Sequence, residues 1–346
     1  MHYLTIVFFV SLQTLHCLLI SENLPQSLNF MHGIVIKNTG SSYLVRTDEG
    51  QLIESRVKGN FRLKGIRTTN PVAVGDGVTL RNNGEGELAF ITAIDPRRNY
   101  IIRKASNLSK QSHILAANID QALLVATLAR PETSTTFIDR FLASAEAYRV
   151  PVVLVLNKMD DLTDDERATA DYLTHIYTDM GYEVHQIAAL SGHGLEALRP
   201  RLTGKITLLA GHSGVGKSTL LNQFIPDAQV KTAEISDAHG TGMHTTTFSE
   251  LFDLPSLDDQ PAGSLIDIPG IKGFGTFDME PEEIAHYFRD IFALGEGCRF
   301  SNCTHTQEPG CAVVEALEAH RLAPSRYTSY LSMLNDKEEG KYRAHL

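Results

Sequence analysis

The 346-residue sequence has few cysteines, no internal repeat and no low-complexity tract. Three of its four cysteines cluster near the C-terminus, which is not the pattern of a disulfide framework. The cluster instead indicates a reducing compartment and a bound metal. Charged residues make up 21% and apolar residues 42% of the chain, as is typical of a soluble globular protein. The length allows about two or three domains.

The first thirty residues lack what a signal peptide or a membrane helix requires. No Lys or Arg precedes the apolar stretch 3–20, so the positive region of a signal peptide is missing. Polar side chains also interrupt this stretch, whereas a membrane span needs about 20 apolar residues in succession. We therefore interpret residues 1–30 as an extension outside the native fold, with Met31 as the start residue. A genuine membrane anchor is the alternative.

The chain also lacks the overall positive charge of a nucleic-acid-binding protein, because its formal net charge is -10. The charge is segregated, however. Residues 51–110 contain eleven Lys or Arg and five Asp or Glu, which gives this segment a charge of +6. A basic RNA-binding face and an ordinary solvated surface both fit this pattern. The basic residues are Arg56, Lys58, Arg62, Lys64, Arg67, Arg81, Arg97, Arg98, Arg103, Lys104 and Lys110.

The rest of the chain divides into two parts with different patterns of apolar residues. Residues 31–108 contain five short apolar runs separated by Asn, Asp and Gly, a pattern that predicts a small OB-type β-barrel. From residue 117 onward, continuous apolar runs alternate with helical patterns, for example in residues 121–128, 136–148, 151–156 and 168–180. This alternation predicts a parallel α/β sheet with ligand-binding loops at the carboxyl ends of its strands.

After residue 280 the spacing of apolar residues predicts helices. One apolar stripe is expected to face a core, and a charged, frayed tail is expected from residue 336. The stripe consists of Ile284, Tyr287, Phe288, Ile291 and Phe292.

A phosphate-binding loop is the strongest single motif. Residues 211–218 read GHSGVGKS, which fits GxxxxGK[ST], with a predicted strand before it and a helix after it. Its backbone N–H groups would surround phosphate oxygens, with the helix N-terminus behind them. Lys217 is expected to reach the β- and γ-phosphates, and Ser218 to bind Mg²⁺. The predicted phosphate-binding residues are Gly211, His212, Ser213, Gly214, Val215, Gly216, Lys217, Ser218 and Thr219.

Two later motifs offer further groups for Mg²⁺ and the γ-phosphate. The motif DIPG follows a buried strand, so Asp267 is expected to hold Mg²⁺ and the N–H of Gly270 to contact the γ-phosphate. Between this motif and the phosphate-binding loop lies GMHTTT, residues 242–247. A threonine hydroxyl there, assigned to Thr246, would bind Mg²⁺ in the GTP state. An ordinary threonine run with strand propensity is the alternative.

A guanine-recognition motif, NKMD, precedes the phosphate-binding loop, whereas ordinary GTPases have the reverse order. The Asp160 carboxylate would accept hydrogen bonds from two guanine donors that adenine lacks. Asn157 would tie the loop together, and the stem of Lys158 would cover the base. Ala188 and Ala189, after the next strand, are expected to offer a backbone N–H to guanine O6. The motif order predicts a circularly permuted GTPase.

The group that positions the attacking water is not evident from the sequence. Ile271 follows DIPG at the place where Ras-like proteins have a glutamine that orients this water. Isoleucine cannot do so, and intrinsic hydrolysis is therefore expected to be slow unless His244 or a partner macromolecule positions the water. The candidate catalytic residues are His244, Thr246 and Gly270.

Near the C-terminus, three thiols and one imidazole lie within fourteen residues: Cys298, Cys303, His305 and Cys311. A Cys₃His set predicts a closed, tetrahedral, structural zinc site with one ion per chain. Such a site would contribute to folding of the C-terminal module. The alternative, cysteines buried in a helical tail, fits poorly with the turn residues between them.

The barrel, the permuted GTPase motifs and the string CRFSNCTHTQEPGC, in this order, resemble the RsgA (YjeQ) family of ribosome small-subunit-dependent GTPases over residues 31–335. The resemblance implies a late assembly factor that docks on the small ribosomal subunit and is stimulated by it. It also implies that the barrel and the zinc module contact ribosomal RNA, and that the residues named above bind GTP and zinc. The sequence departs from the family before Met31, and at Ala188 and Ala189, where serine is common.

The sequence therefore predicts four segments: the extension (1–30), an OB-fold RNA-binding domain (31–110), a circularly permuted GTPase domain (117–277) and a helical zinc-binding domain (278–346). We expect a cytoplasmic monomer without a membrane segment. Three other functions fit the motifs. They are an RNA-binding scaffold that GTP switches, a permuted GTPase of large-subunit assembly, and a membrane-tethered GTPase if the extension is native.

Overall fold

The computed structural model describes residues 29–57, 71–82, 88–104, 112–228, 230, 249–256, 261–268 and 279–342. Across these ranges the chain forms thirteen β-strands and eight α-helices, arranged as a barrel, an α/β domain and a helical module. Among the helices of these ranges, none has the length and apolar character needed to cross a membrane.

The first five strands close into the predicted barrel. They are β1 (Asn29–Asn38), β2 (Tyr43–Thr47), β3 (Leu52–Val57), β4 (Gly77–Asn82) and β5 (Ala89–Ile94). The strands follow each other around the barrel in the order β1-β2-β3-β5-β4, and β4 pairs again with β1. Only the β3–β5 pair among these five is parallel. This confirms the five-stranded OB-type barrel.

The barrel closes around alternating apolar side chains and one glycine. Val35, Val45 and Leu80 are fully buried in its core, as expected when every second residue of a strand points inward. At Gly33, β1 pairs with β2 on one side and β4 on the other. A Cβ atom at Gly33 would lie 2.4 Å from the Arg46 carbonyl oxygen, and glycine is therefore required for this close approach.

One of the basic residues counted toward the predicted RNA-binding face is buried instead. The Arg97 guanidinium, only 7% exposed, donates to both carboxylate oxygens of Asp76 at 2.7 and 2.6 Å. Arg97 is therefore a buried ion-pair partner of Asp76 and not part of a basic surface, which corrects the expectation that it contributes to an RNA-binding face. Lys58, Arg62, Lys64, Arg67 and Lys110 lie outside the described residues.

Eight further strands follow in the chain. A hairpin of β6 (Tyr100–Lys104) and β7 (Ser112–Ala117), which the sequence patterns did not reveal, leads into the α/β domain. The domain's sheet contains β8 (Gln121–Ala126), β9 (Val152–Leu156), β10 (Glu183–Gln186), β11 (Ile206–Ala210), β12 (Ser249–Asp253) and β13 (Ser264–Asp267). Their spatial order is β10-β9-β8-β11-β13-β12, and every adjacent pair except β12–β13 is parallel.

Helices cover both faces of this sheet. One face packs against α1 (Thr135–Ala147) and α2 (Asp164–Asp179), and the other against α3 (Leu195–Leu202) and α4 (Lys217–Phe224). Burial on both faces explains why β8 and β9 are continuous apolar runs without alternation. The helix α2 begins four residues before the predicted start at residue 168, because a Thr163–Glu166 capping box nucleates it and its first turn is mostly exposed.

The barrel and the α/β sheet are joined edge to edge. Strand β1 pairs antiparallel with β12, so both belong to one eleven-stranded sheet. Two ion pairs flank this junction: Lys37–Glu250 at 2.8 Å and the shorter Arg46–Asp253 pair. The strand that follows the GMHTTT segment is therefore hydrogen-bonded directly to the barrel.

The C-terminal module is helical, as expected, but its first helix is interrupted. It contains α5 (Pro281–Ile284), α6 (Arg289–Gly295), α7 (Ala312–Glu318) and α8 (Pro324–Tyr342). Between α5 and α6 the backbone becomes extended at Phe288, which breaks the helical periodicity. Phe292 is consequently 48% exposed, so its predicted place in a core-facing stripe is wrong. The helix α8 also continues seven residues beyond residue 335, where fraying was expected.

A buried arginine fastens this module to the α/β domain. Arg326 of α8 binds Asp139 of α1 at 2.6 Å and Asp290 of α6 at 2.9 Å, and its guanidinium lies 4.7 Å from the ring centre of Phe288. Asp139 also accepts a hydrogen bond of 2.8 Å from the Tyr177 hydroxyl of α2. Removing one partner from such a buried pair leaves an uncompensated charge, which costs about 3–5 kcal/mol.

We expect Arg326→Ala to lower the unfolding temperature by about 10 °C, measured by circular dichroism. The matched control is Arg289→Ala. Arg289 binds Glu146 at 2.6 Å across the same contact between α1 and the C-terminal module, but its side chain is 40% exposed. This exposed pair contributes only about 0–1 kcal/mol. The Arg289 guanidinium also lies 4.1 Å from the ring centre of Tyr182, a contact worth about 0.5–1 kcal/mol, so the control should melt within about 5 °C of the unaltered protein. Equal shifts for the two variants would contradict the importance of burial.

Candidate functional site

The predicted nucleotide-binding motifs meet at one edge of the α/β sheet. Strands β8, β9, β11 and β13 are parallel neighbours, so their carboxyl ends lie side by side. NKMD follows β9, the phosphate-binding loop follows β11, and Asp267 ends β13. Because spatial order is set by strand pairing, the reversed order of the motifs along the chain does not separate them.

The side chain of Asn157 joins three of these loops. Its Nδ2 donates to the carbonyl of Val215 in the phosphate-binding loop at 2.8 Å, and its Oδ1 accepts from the N–H of Ala189 at 2.9 Å. Its backbone N–H donates to Ala126 at the end of β8 at 2.8 Å. Asn157 is 2% exposed. The role expected from the sequence, tying the loop together, therefore extends to the loops on both sides.

The glycines of the phosphate-binding loop are required for this close contact. Gly216 has a φ of +97°, and a Cβ atom there would lie 2.3 Å from Nδ2 of Asn157. Gly211 has a φ of +141°, and its Cβ atom would lie 2.2 Å from the Val125 carbonyl oxygen. Any larger residue would push the loop away from β8 and β9.

Lys217 opens α4 from a buried position. It is 7% exposed, and its ammonium donates to the carbonyls of Gly211 at 2.9 Å and His212 at 2.7 Å. Burial lowers the pKa of Lys217 to about 8, against an opposing effect of Asp267. A desolvated ammonium favours an anionic ligand, because a phosphate would compensate the charge that burial disfavours.

The first turn of α4 and the end of β13 bring oxygen ligands to the same edge. Ser218 and Thr219 follow Lys217 in the helix, and Asp267, which is buried, pairs in register with Leu209 of β11. Hydroxyl and carboxylate oxygens are the ligands that Mg²⁺ prefers. The described residues of the predicted magnesium set therefore fit this ion. Thr246, His244, Gly270 and Ile271 lie outside the described residues.

The guanine-side motif presents one carboxylate to solvent. Asp160 lies in the 3₁₀ turn Met159–Asp161 and is exposed, and its carboxylate makes no hydrogen bond or ion pair with any described residue. Lys158, which directly precedes the turn Met159–Asp161, has a φ of +65°, and its ammonium donates to the Arg130 carbonyl at 2.5 Å. Burial lowers the pKa of Lys158. The stem of this side chain is thus fixed beside Asp160.

The loop after β10 does not offer the backbone N–H groups that the sequence predicted at Ala188 and Ala189. The N–H of Ala188 donates to the His193 carbonyl at 3.0 Å, and the N–H of Ala189 to Asn157. Neither N–H is therefore available to guanine O6, which corrects the assignment. The next residue, Leu190, is 81% exposed, and its N–H makes no hydrogen bond within the described part of the chain. The available donor is thus displaced by one residue.

Two residues at this edge were missed by the motif patterns. Phe137 of α1 stacks on the His212 ring, with 3.8 Å between the ring centres. Arg130, in the loop between β8 and α1, contacts Asp161 and Glu166 around NKMD. Both residues lie outside any nucleotide-binding motif, and only the parallel pairing of β8 with β9 and β11 brings them to the site.

The Cys₃His cluster has the geometry of a metal centre. The ligand atoms of Cys298, Cys303, His305 and Cys311 all lie within 4.8 Å of one another. The Nδ1 atom of His305 is 3.5 Å from the sulfurs of Cys298 and Cys311, which are 3.9 Å apart. Around a tetrahedral Zn²⁺, with bonds of about 2.3 Å to sulfur and 2.0 Å to nitrogen, such atoms are about 3.5–3.8 Å apart. The four residues fit a metal ion.

Neighbouring groups hold the ligand loop in place. The hydroxyls of Tyr327 and Tyr330 on α8 donate to the carbonyls of His305 at 2.8 Å and Thr304 at 2.7 Å. Glu308 accepts hydrogen bonds from Thr304 and from two further backbone amides of the loop. Burial opposes ionisation of Glu308, but these hydrogen bonds prevail and lower its pKa to about 2. The loop is therefore fixed by α8 and by its own carboxylate.

The sequence matches two models of one protein family. A model described as RsgA GTPase matches residues 94–277, and one described as RsgA N-terminal domain matches residues 32–91. The small ribosomal subunit biogenesis GTPase RsgA of Bacteroides fragilis is 63% identical over 314 residues, which cover 91% of this chain and 99% of that protein. The protein of the same name from Porphyromonas gingivalis is 58% identical, with coverages of 90% and 99%.

Solved structures give the same result. YjeQ from Thermotoga maritima is 34% identical, the match covers 89% of this chain and 98% of that chain, and the TM-score is 0.67. YloQ, described as a circularly permuted GTPase, is 28% identical, with coverages of 92% and 98% and a TM-score of 0.63. By motif order, sheet topology and relatives, this chain belongs to the RsgA family of circularly permuted GTPases.

Proposed function

We propose that this GTPase acts in maturation of the small ribosomal subunit, where it binds ribosomal RNA and hydrolyses GTP with stimulation by the subunit. The observation that carries the nucleotide part is the buried amide of Asn157, which joins the guanine-side and phosphate-side loops into one site. The ribosomal part is supported by relatives that match over 99% of their own length and are named small ribosomal subunit biogenesis GTPases.

The nucleotide would lie across the carboxyl ends of β8, β9 and β11. The backbone amides of residues 211–218 and the Lys217 ammonium would hold its phosphates, while the exposed Asp160 would read the base and the N–H of Leu190 would donate to guanine O6. Ser218 and Asp267 would hold Mg²⁺, which supplies charge neutralisation at the phosphates. Thr246, His244 and Gly270 remain proposed switch and catalytic residues on sequence grounds.

The domain roles follow the same assignment. Residues 31–110 would form the RNA-binding OB domain, 117–277 the GTPase domain and 278–346 the zinc-binding domain of a cytoplasmic monomer. In the barrel, Arg56 and Arg81 are the described basic residues whose side chains remain candidates for phosphate contacts after Arg97 is removed from the set.

The test of this function is GTP hydrolysis titrated with purified small subunits. We expect the rate to rise more than about tenfold with small subunits and to stay unchanged with large subunits. No stimulation by either subunit would favour a GTP-switched RNA-binding scaffold instead. Stimulation by large subunits alone would transfer the function to large-subunit assembly.

Substitution of the buried lysine tests the phosphate site. We expect Lys217→Ala to raise the Kd for GTP and GDP about 10- to 100-fold, because the ammonium–phosphate contacts are lost. The matched control is Lys205→Ala at the opposite end of β11, where the ammonium donates to Gln121 at 3.1 Å. Isothermal titration calorimetry measures both. Unchanged affinity in Lys217→Ala would remove the phosphate assignment.

Metal analysis tests the zinc assignment. We expect one zinc ion per chain by elemental analysis, and loss of this ion in Cys311→Ser, because the replacement removes one of four thiolate or imidazole ligands. Ser301→Ala, at an exposed position of the same loop, is the matched control and should retain the ion. A metal-free native protein, or equal zinc content in both variants, would contradict the site.

A further inference from the structure

The loop between β8 and α1 is fixed beside the guanine-recognition motif. Thr133 donates its N–H to the Thr127 carbonyl at 2.8 Å, and Thr127 donates its own to the Thr133 hydroxyl at 3.2 Å. These reciprocal bonds close the loop on the end of β8. Arg130 lies within the closed loop with a φ of +49°. Its side chain therefore projects from an anchored backbone.

Arg130 makes contacts on both sides of Asp160. Its guanidinium donates to the Asp161 carboxylate at 2.7 Å, to the Asp161 carbonyl, and to both carboxylate oxygens of Glu166 at 3.3 and 3.2 Å. Its own carbonyl accepts the Lys158 ammonium at 2.5 Å. Lys158, two positions before Asp160, and Asp161, directly after it, are thus both bound to Arg130. Hydrogen bonds to Asp161 and Glu166 also raise the pKa of Arg130, so it stays charged.

We propose that Arg130 is a positioning residue for guanine recognition, which holds the turn of NKMD so that the Asp160 carboxylate faces the base. This inference rests on the proposed guanine site. The Asp160 carboxylate is held by no other described contact, so its direction depends on the 3₁₀ turn Met159–Asp161. That turn is connected by the Arg130 guanidinium to the loop after β8 and to the first turn of α2.

The contacts set the expected size and direction of the effect. The ion pairs of Arg130 are exposed and therefore individually weak, so loss of this network should raise the Kd for GDP by only about three- to tenfold. GTP should be affected to the same extent, because both nucleotides carry the same base. Most of the change should lie in the dissociation rate.

Inosine nucleotides distinguish a role of Arg130 in positioning the Asp160 carboxylate from a general destabilisation of the site. Inosine lacks the 2-amino group of guanine, so Asp160 can accept only one of the two hydrogen bonds from it. A misplaced carboxylate loses more with guanine than with inosine. The ratio of the Kd for IDP to the Kd for GDP should therefore fall in Arg130→Ala. Merely structural damage would weaken both nucleotides equally and leave this ratio unchanged.

The matched control is Arg98→Ala. The Arg98 guanidinium is similarly exposed and binds one carboxylate, Asp120, at 2.6 Å and one carbonyl, Asn118, at 2.7 Å. Asp120 directly precedes β8, at the end of the strand opposite to the nucleotide edge. This variant should leave both Kd values and their ratio unchanged. Arg130→Lys should restore part of the ratio, since an ammonium keeps the charge but lacks the fork that reaches two carboxylates.

A double-mutant cycle tests the path through α2. Glu166→Gln removes the charge that Arg130 binds but keeps a side chain able to serve in the capping box at the start of α2. We expect this change to lower the IDP/GDP ratio in the unaltered background and to have no further effect in Arg130→Ala. Additive effects in the double variant would overturn the proposed network.

Asp160→Ala distinguishes failure of this inference from failure of the guanine site. If Asp160→Ala lowers the ratio while Arg130→Ala behaves like Arg98→Ala, the positioning role is overturned and the guanine site stands. If Asp160→Ala leaves the ratio unchanged, both assignments are overturned. A ratio lowered by Asp160→Ala and, to a smaller extent, by Arg130→Ala supports the proposal.

Discussion

The nucleotide site depends on one buried side-chain amide. Asn157 donates to the phosphate-binding loop and accepts from the loop after β10, while its backbone is bonded to the end of β8. Because a side-chain amide carries both a donor and an acceptor, one residue can form hydrogen bonds with two loops that are far apart in the sequence. Loss of one hydrogen-bond partner of a buried amide lowers the free energy of unfolding by about 1–3 kcal/mol. The contact therefore favours a single arrangement of the three loops, with Gly216 providing the space for it.

Around this site, each of the other two domains attaches to an element that borders the nucleotide edge. The barrel pairs through β1 with β12, the strand that follows the GMHTTT segment. The C-terminal module packs on α1, where Asp139 binds Arg326, while Phe137, two residues earlier in the same helix, stacks on His212 of the phosphate-binding loop. A displacement of β12 or α1 would therefore also displace a domain that carries candidate RNA contacts.

Features coded within a few residues were predictable, and features that depend on distant residues were not. GHSGVGKS, NKMD and the Cys₃His string each carry their chemistry locally, so the fold class and the metal cluster followed from the sequence. Arg97 looked like surface charge because its partner, Asp76, lies twenty-one positions away. The same holds for Arg130, whose contacts with Asp161 and Glu166 arise only when β8 and β9 pair. Composition likewise does not show that the N–H of Ala189 is already bonded to Asn157, whereas the N–H of Leu190 makes no hydrogen bond within the described residues.

The permuted order has a consequence for how the domains are connected. Strand pairing alone places the loops, so a chain that starts at β8 and ends after β13 builds the same edge as any other order of these strands. What the order changes is the connection at the chain ends. Met279, buried in the core of the C-terminal module, follows Asp267 by only twelve positions. The end of β13, where Asp267 is proposed to bind Mg²⁺, is therefore close along the chain to a module that Arg326 fixes on α1. In a chain of this order, the C-terminal module is attached to the nucleotide domain both covalently after β13 and through its contact with α1.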